Sequence, residues 1–158
     1  MIRVEQCTFD DYEGINELFR KLINEIVIKT TGNPNLFNIT DTLEIFKESL
    51  NNGMYSIYKA INQEQQMIGF ISLCECLSLY ANGRFGIIQE LYVLEEYRSM
   101  RVGEVLISFV ISLAKTNGWK RLEVCTPPLP EFERSFSFYL KQGFEVTSGK
   151  KMKILIDL

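Results

Sequence analysis

The stretch Ile87 to Gly103, IIQELYVLEEYRSMRVG, gathers most of the chemically able side chains of this chain. Glu90 sets a carboxylate inside an apolar run, on the face that a period of two shares with Ile88 and Tyr92. A carboxylate there must be paired, hydrated or functional, because burying it bare is costly. It is a candidate general base, and equally a candidate salt-bridge or helix-cap partner. Eight residues on, Arg98 and Arg101 stand where a loop runs into a helix. The first turn of a helix leaves about four backbone N–H groups unpaired, and with the positive end of the dipole these can hold a pyrophosphate. Two arginines at such a place add charge to the site or are simply solvated. Tyr139 offers a phenol, and also completes the apolar stripe Phe132, Phe136, Leu140.

The chain has no histidine. A histidine-based triad is therefore excluded, and proton transfer falls to Tyr, Glu, Asp, Lys or Cys. Cys7, Cys74, Cys76 and Cys125 are read as reduced, small core hydrophobes. Cys74 and Cys76 share a strand face, but without histidine or a second Cys pair no metal site is expected. The net charge of −3 opposes a nucleic-acid partner, which needs clustered Lys and Arg. The basic run Lys150-Lys151-Met152-Lys153 is read as a solvated edge. No apolar run approaches the roughly 20 residues of a membrane span, and the N-terminus lacks the order of a signal peptide, so a cytoplasmic protein with no membrane partner is expected.

These side chains need a scaffold. At 158 residues, 46% of them hydrophobic, one domain with one core is expected. Ile2 to Cys7 reads as a strand, and Thr8, with Asp10 and Asp11 behind it, as the start of a helix carrying Ile15, Leu18, Phe19, Leu22 and Ile26 on one face. Thr31-Gly32-Asn33-Pro34 breaks it. A second helix follows from about Asp41, which with Glu44 resembles a capping box, and ends at Asn51-Asn52-Gly53. Tyr55 to Ile61 and Met67 to Leu79 form a hairpin about Asn62 to Gln66, and Asn82-Gly83 turns into a third strand, Phe85 to Leu94. Val102, Leu106, Phe109 and Leu113 mark the clearest helix, with Gly118 at its end. A short strand, Arg121 to Cys125, a proline loop and a helix from Glu131 to Gln142 come next. Two last strands are expected at Phe144 to Gly149 and Met152 to Asp157. The order gives an α/β fold: a single mixed, mostly antiparallel central sheet flanked by helices on both faces.

Two of these segments carry a likeness. Arg98-Ser99-Met100-Arg101-Val102-Gly103 resembles the coenzyme A loop of the GNAT superfamily of N-acetyltransferases, Q/R-x-x-G-x-G/A, with Arg101 in place of its middle glycine. FYLKQGFEV, Phe138 to Val146, resembles that family's second signature. The likeness covers the chain from about Met54 onward well and the first two helices loosely. It implies a single N-acetyltransferase domain over residues 1–158, with acceptor-side helices in 1–53 and a cofactor-binding core in 54–158.

That resemblance implies acetyl-CoA as co-substrate, no metal, and direct transfer of an acetyl group to a primary amine of a small molecule or protein in a ternary complex. It implies that the backbone of Leu91, Tyr92 and Val93 pairs with the pantetheine arm, and that Arg98, Ser99, Met100, Arg101, Val102 and Gly103 cradle the pyrophosphate. Tyr139 then protonates the departing sulfur and Glu90 serves as base. Many relatives carry an asparagine where this chain has Phe132. Acidic residues in the first two helices suit a cationic acceptor, and a homodimer is left open. Arg101, expected in the first helical turn with ordinary helical angles, and Phe132 motivate the alternative of a non-catalytic acyl-CoA sensor or interaction module of the same fold.

Overall fold

The computed structural model describes residues 1–36, 38–147 and 149–156. The chain divides into two compact units, Met1–Val124 and Cys125–Leu158.

The first unit is built on a five-stranded sheet in the order β1-β2-β3-β4-β5. Strands β1 (Arg3–Gln6), β2 (Tyr55–Ile61), β3 (Met67–Ser78) and β4 (Gly83–Val93) pair antiparallel in succession. The fifth, β5 (Leu122–Val124), runs parallel to β4, a pairing that needs the helical crossover between them. Asn62 closes the β2–β3 turn by accepting the amides of Glu64 and Gln66 on its side-chain oxygen at 3.0 and 2.9 Å. Asn82 and Gly83 adopt positive φ at the β3–β4 turn, as that pair does readily.

Helices α1 (Tyr12–Thr31) and α2 (Thr42–Asn52) bury Ile15, Leu18 and Phe46 against Ile57, Phe70 and Tyr92 of the sheet. The start of α1 is pinned where the sequence predicts. Asp11 accepts the Thr8 amide at 2.8 Å and Lys59 Nζ at 2.6 Å. Each helix ends on a left-handed glycine, Gly32 and Gly53. The box expected at the start of α2 does not form, because Glu44 turns along the helix to Lys47 at 3.0 Å. Helix α3 (Val102–Thr116) covers the other sheet face, where Phe109 packs on Tyr58 with ring centroids 5.0 Å apart. Its buried residues, Val102, Leu106, Ile107, Val110 and Ala114, make a wider stripe than the one read from the sequence. Helices therefore flank a mixed sheet on both faces.

In the second unit, α4 (Glu133–Lys141) buries Tyr139, whose ring meets Phe138 and Phe144 edge-on at 5.3 and 5.5 Å. The two strands expected at 144–149 and 152–157 are not formed by the described residues of those segments. Val146, Met152, Ile154, Leu155 and Ile156 are exposed, so the alternation has no surface to cover. A strand exists only where its backbone groups find partners. Ser148 and Asp157 lie outside the described residues. Among the described residues, no helix is long and apolar enough to cross a membrane.

Candidate active site

The chemistry-bearing stretch begins where β4 changes character. From Gly86 to Ile88 it is paired on both sides, with β3 and with β5. The pairing with β5 stops there. At the same level the β3 register shifts, with Leu73 opposite Ile88 but Ser72 opposite Glu90, so that Gln89 is the extra residue of a β-bulge. A bulge bends the strand and re-aims its side chains, and such bulges recur beside active sites.

The bulge corrects one expectation. Glu90 shares its face with Tyr92, as predicted, but Ile88 is turned to the opposite face with Leu73. Period-two reading cannot see an inserted residue. Glu90 consequently faces the side covered by α1 and α2, where its carboxylate accepts hydrogen bonds from the Tyr55 hydroxyl at 2.7 Å and from the Ser72 hydroxyl. The Glu90 amide in turn donates to Ser72 Oγ at 3.0 Å. Burial, and then the negative charge of Glu90, push the Tyr55 phenol well above its usual value. It therefore stays a donor, and the carboxylate is held in one orientation.

Beyond the bulge, Leu94 N–H donates to Ile68 O at 3.0 Å. Hydrogen-bonded positions alternate in an antiparallel pair, so Tyr92 and Glu90 exchange bonds with β3 while the amides of Leu91 and Val93 face the other way. On that side β5 has already ended. An extended ligand arm adds to such an edge through main-chain hydrogen bonds.

The edge leads through a short turn at Glu95–Tyr97 into the Arg98–Gly103 loop. Ser99 and Arg101 both take left-handed backbone, φ 68° and 65°. Alternating left-handed residues curl successive amides into an anion-binding concavity. The first bond inside α3 runs from Val105 N–H to Arg101 O at 3.0 Å, so the amides of Val102, Gly103 and Glu104 precede the helical ladder. The amides of Arg98 and Met100 donate within the turn, to Glu95 O and Tyr97 O, so it is the amides at the start of α3 that are placed as an anion site requires.

The two arginine side chains are placed otherwise than expected. Arg101 is not in the first helical turn with ordinary angles: it is the N-cap of α3, in the conformation that favours glycine. Its exposed guanidinium lies along the helix on Glu104 at 2.7 and 2.8 Å, which lets a side chain stand there without entering the loop's concavity. Arg98 turns back toward α1. Its two terminal nitrogens donate to both oxygens of Glu25, at 3.2 and 2.6 Å, and Nε donates to Val93 O at 3.1 Å.

Tyr139 is buried, and burial raises its phenol well above the usual value, so it holds its proton. Phe132, in the place of the common asparagine, is the buried N-cap of α4. Reasoning from sequence alone missed Tyr55, Ser72 and Glu25. Ser72 carried the one available signal, a hydroxyl amid the apolar run Ile68 to Leu73.

No curated protein sequence matches this chain. Among solved structures it is similar to a probable acetyltransferase, at 22% identity over 98% of each chain with a TM-score of 0.76. It is similar to a ribosomal-protein-alanine N-acetyltransferase from Brucella melitensis biovar Abortus, at 13% identity over 99% of each chain and a TM-score of 0.72. It is also similar to an aminoglycoside acetyltransferase from an uncultured soil metagenomic sample, solved with sisomicin, at 18% identity over 98% of this chain and 97% of that one, with a TM-score of 0.73. Those likenesses concern the fold. The model of the acetyltransferase (GNAT) family matches residues 22–144, a span that includes α3, the whole of β4 and Tyr139, and the chain belongs to that family.

Proposed function

We propose that this protein is an N-acetyltransferase that moves an acetyl group from acetyl-CoA directly to a primary amine of a small molecule or protein within a ternary complex. The observation that carries the reading is the open half of β4. One stretch of five residues joins outward-facing amides to a fixed carboxylate, and a single short turn links it to a loop shaped for an anion.

Acetyl-CoA, when bound, supplies an acyl carbon already activated as a thioester. The amides of Leu91 and Val93 hold the extended arm, and one of them donates a hydrogen bond toward the acyl oxygen, where negative charge grows during transfer. The amides of Val102 and Gly103, ahead of the α3 ladder, hold the phosphates. Glu90, oriented by Tyr55 and Ser72, accepts a proton from the incoming ammonium group, directly or through water. Tyr139 keeps a proton on its hydroxyl for the departing sulfur. This last assignment rests on the resemblance at Phe138 to Val146.

A free-thiol release assay with acetyl-CoA across polyamines, aminoglycosides and lysine peptides tests the reading. The expected result is release above the acceptor-free background with at least one cationic amine. Tight binding of acetyl-CoA with no release across the panel would favour a non-catalytic acyl-CoA sensor. No binding at all would sink both.

A further inference from the structure

We propose that Glu25, on α1, is a positioning residue that sets the Arg98–Gly103 loop in its anion-binding shape by holding Arg98 away from the ligand. The proposal rests on the reading of that loop as the site for the pyrophosphate of coenzyme A.

Arg98 opens the loop and is the residue from which its path is fixed. Its planar guanidinium satisfies three acceptors at once: both carboxylate oxygens of Glu25 and the carbonyl of Val93, the last residue of β4. It also lies over the Tyr92 ring, 5.3 Å from the centroid. Such a fork specifies position as well as charge, which an ammonium cannot do. Side-chain exposure is 28% for Arg98 and 24% for Glu25, so the pair is screened less than a surface contact. Burial alone would raise the Glu25 carboxyl, but its bonds to Arg98 and Lys29 outweigh that and hold it below the usual range. Glu25 is ionised at neutral pH.

Two functions for Arg98 can be told apart by sign. If its charge is meant for the phosphates, Glu25 competes with the ligand, and removing the carboxylate frees the guanidinium and tightens binding. If Glu25 fixes the loop through Arg98, removing it lets Arg98 leave Val93, loosens the path of the backbone amides and weakens binding. The geometry points to the second. Arg98 is both the first residue of the loop and the donor that closes the end of β4 at Val93 O, so the position of its side chain is tied to the path of the backbone.

Calorimetric titration of acetyl-CoA into the full chain decides between them. Glu25→Gln should weaken binding about three- to tenfold, a range set by losing a charge-assisted pair that is partly exposed. Arg98→Lys should weaken it similarly, because one ammonium cannot serve all three acceptors. Glu17→Gln, which removes an ordinary α1 ion pair to Lys21, should leave affinity unchanged and controls for general loosening of the helix. Unchanged or tighter binding by Glu25→Gln would overturn the proposal while leaving the acetyltransferase reading intact. Equal weakening by Glu17→Gln would overturn it too. A parent protein that binds no acetyl-CoA would overturn both.

Discussion

Residues 83–88 and residues 89–93 belong to one strand yet work under opposite constraints. In the first half, Gly86 to Ile88 have neighbours on both sides, and the Trp119 ring lies against Gly86 so closely that a Cβ there would overlap its Cζ3 and Cε3 atoms and come within 2.9 Å of Leu122 Cδ2. Gly86 has no room for an added atom. In the second half a bulge, the end of β5 and a buried hydroxyl on β3 leave amides facing outward and a carboxylate fixed beside them. The difference teaches that a bulge, set where a neighbouring strand ends, turns a fully paired core strand into one with an open edge. The closed half holds the open half in place.

Four experiments would break or sharpen that contrast, in decreasing order of expected effect. Glu90→Gln, in the open half, keeps the shape and removes the base. Single-turnover acetyl transfer to a responsive amine should fall about 10²–10⁴-fold while acetyl-CoA affinity changes little. A variant within threefold of the parent would make Glu90 a structural acceptor for Tyr55 and Ser72 and nothing more. In the closed half the expectation reverses. Gly86→Ala should cost about 1–3 kcal/mol of stability by overpacking, read as a lower melting temperature, with single-turnover rate preserved in the fraction that stays folded. An unchanged melt would mean that Trp119 moves aside freely.

The loop that follows the open half should respond in the opposite direction. Arg101→Gly removes a side chain from a left-handed residue, which should raise stability by roughly 1 kcal/mol, offset in part by loss of the exposed pair to Glu104. A destabilised glycine variant would show that the Arg101 side chain does more than lie along α3. Acid should act most gently. Burial opposes ionisation of Asp11, but Lys59 and the Thr8 amide outweigh it and leave the carboxyl below its ordinary value, as Arg98 and Lys29 do for Glu25. A carboxyl with a depressed folded value contributes stability that is complete above the unfolded value of about 4 and is lost as pH falls through the folded one. The melting temperature should therefore hold down to about pH 5 and decline below about pH 4. Asp11→Asn should flatten that decline.

Much of the scaffold was legible because it obeys local rules. The bounds of β2 follow from its residue types and turn, and α1 and α3 from their stripes and glycine ends. The Arg98–Gly103 loop could be located from its text alone. The bulge at Gln89 could not, since nothing in IIQELYV marks which residue is extra. Arg101 reads as an ordinary helix former until the backbone is seen to need a left-handed N-cap. Tyr55 and Glu25 are 35 and 73 residues from the groups they hold, and only the paired strands and packed α1 bring them near. The terminal segment fails for the converse reason: alternation in KMKILI is a necessary condition for a strand, and a neighbour is the other.

Trp119 is the single tryptophan of the chain, and its indole nitrogen donates to Glu75 on β3. The closed half of β4 therefore carries a built-in optical reporter. Its emission should shift to the red when the sheet comes apart and stay nearly constant while ligand enters the open half, so that unfolding and binding can be followed as separate signals on one unlabelled sample.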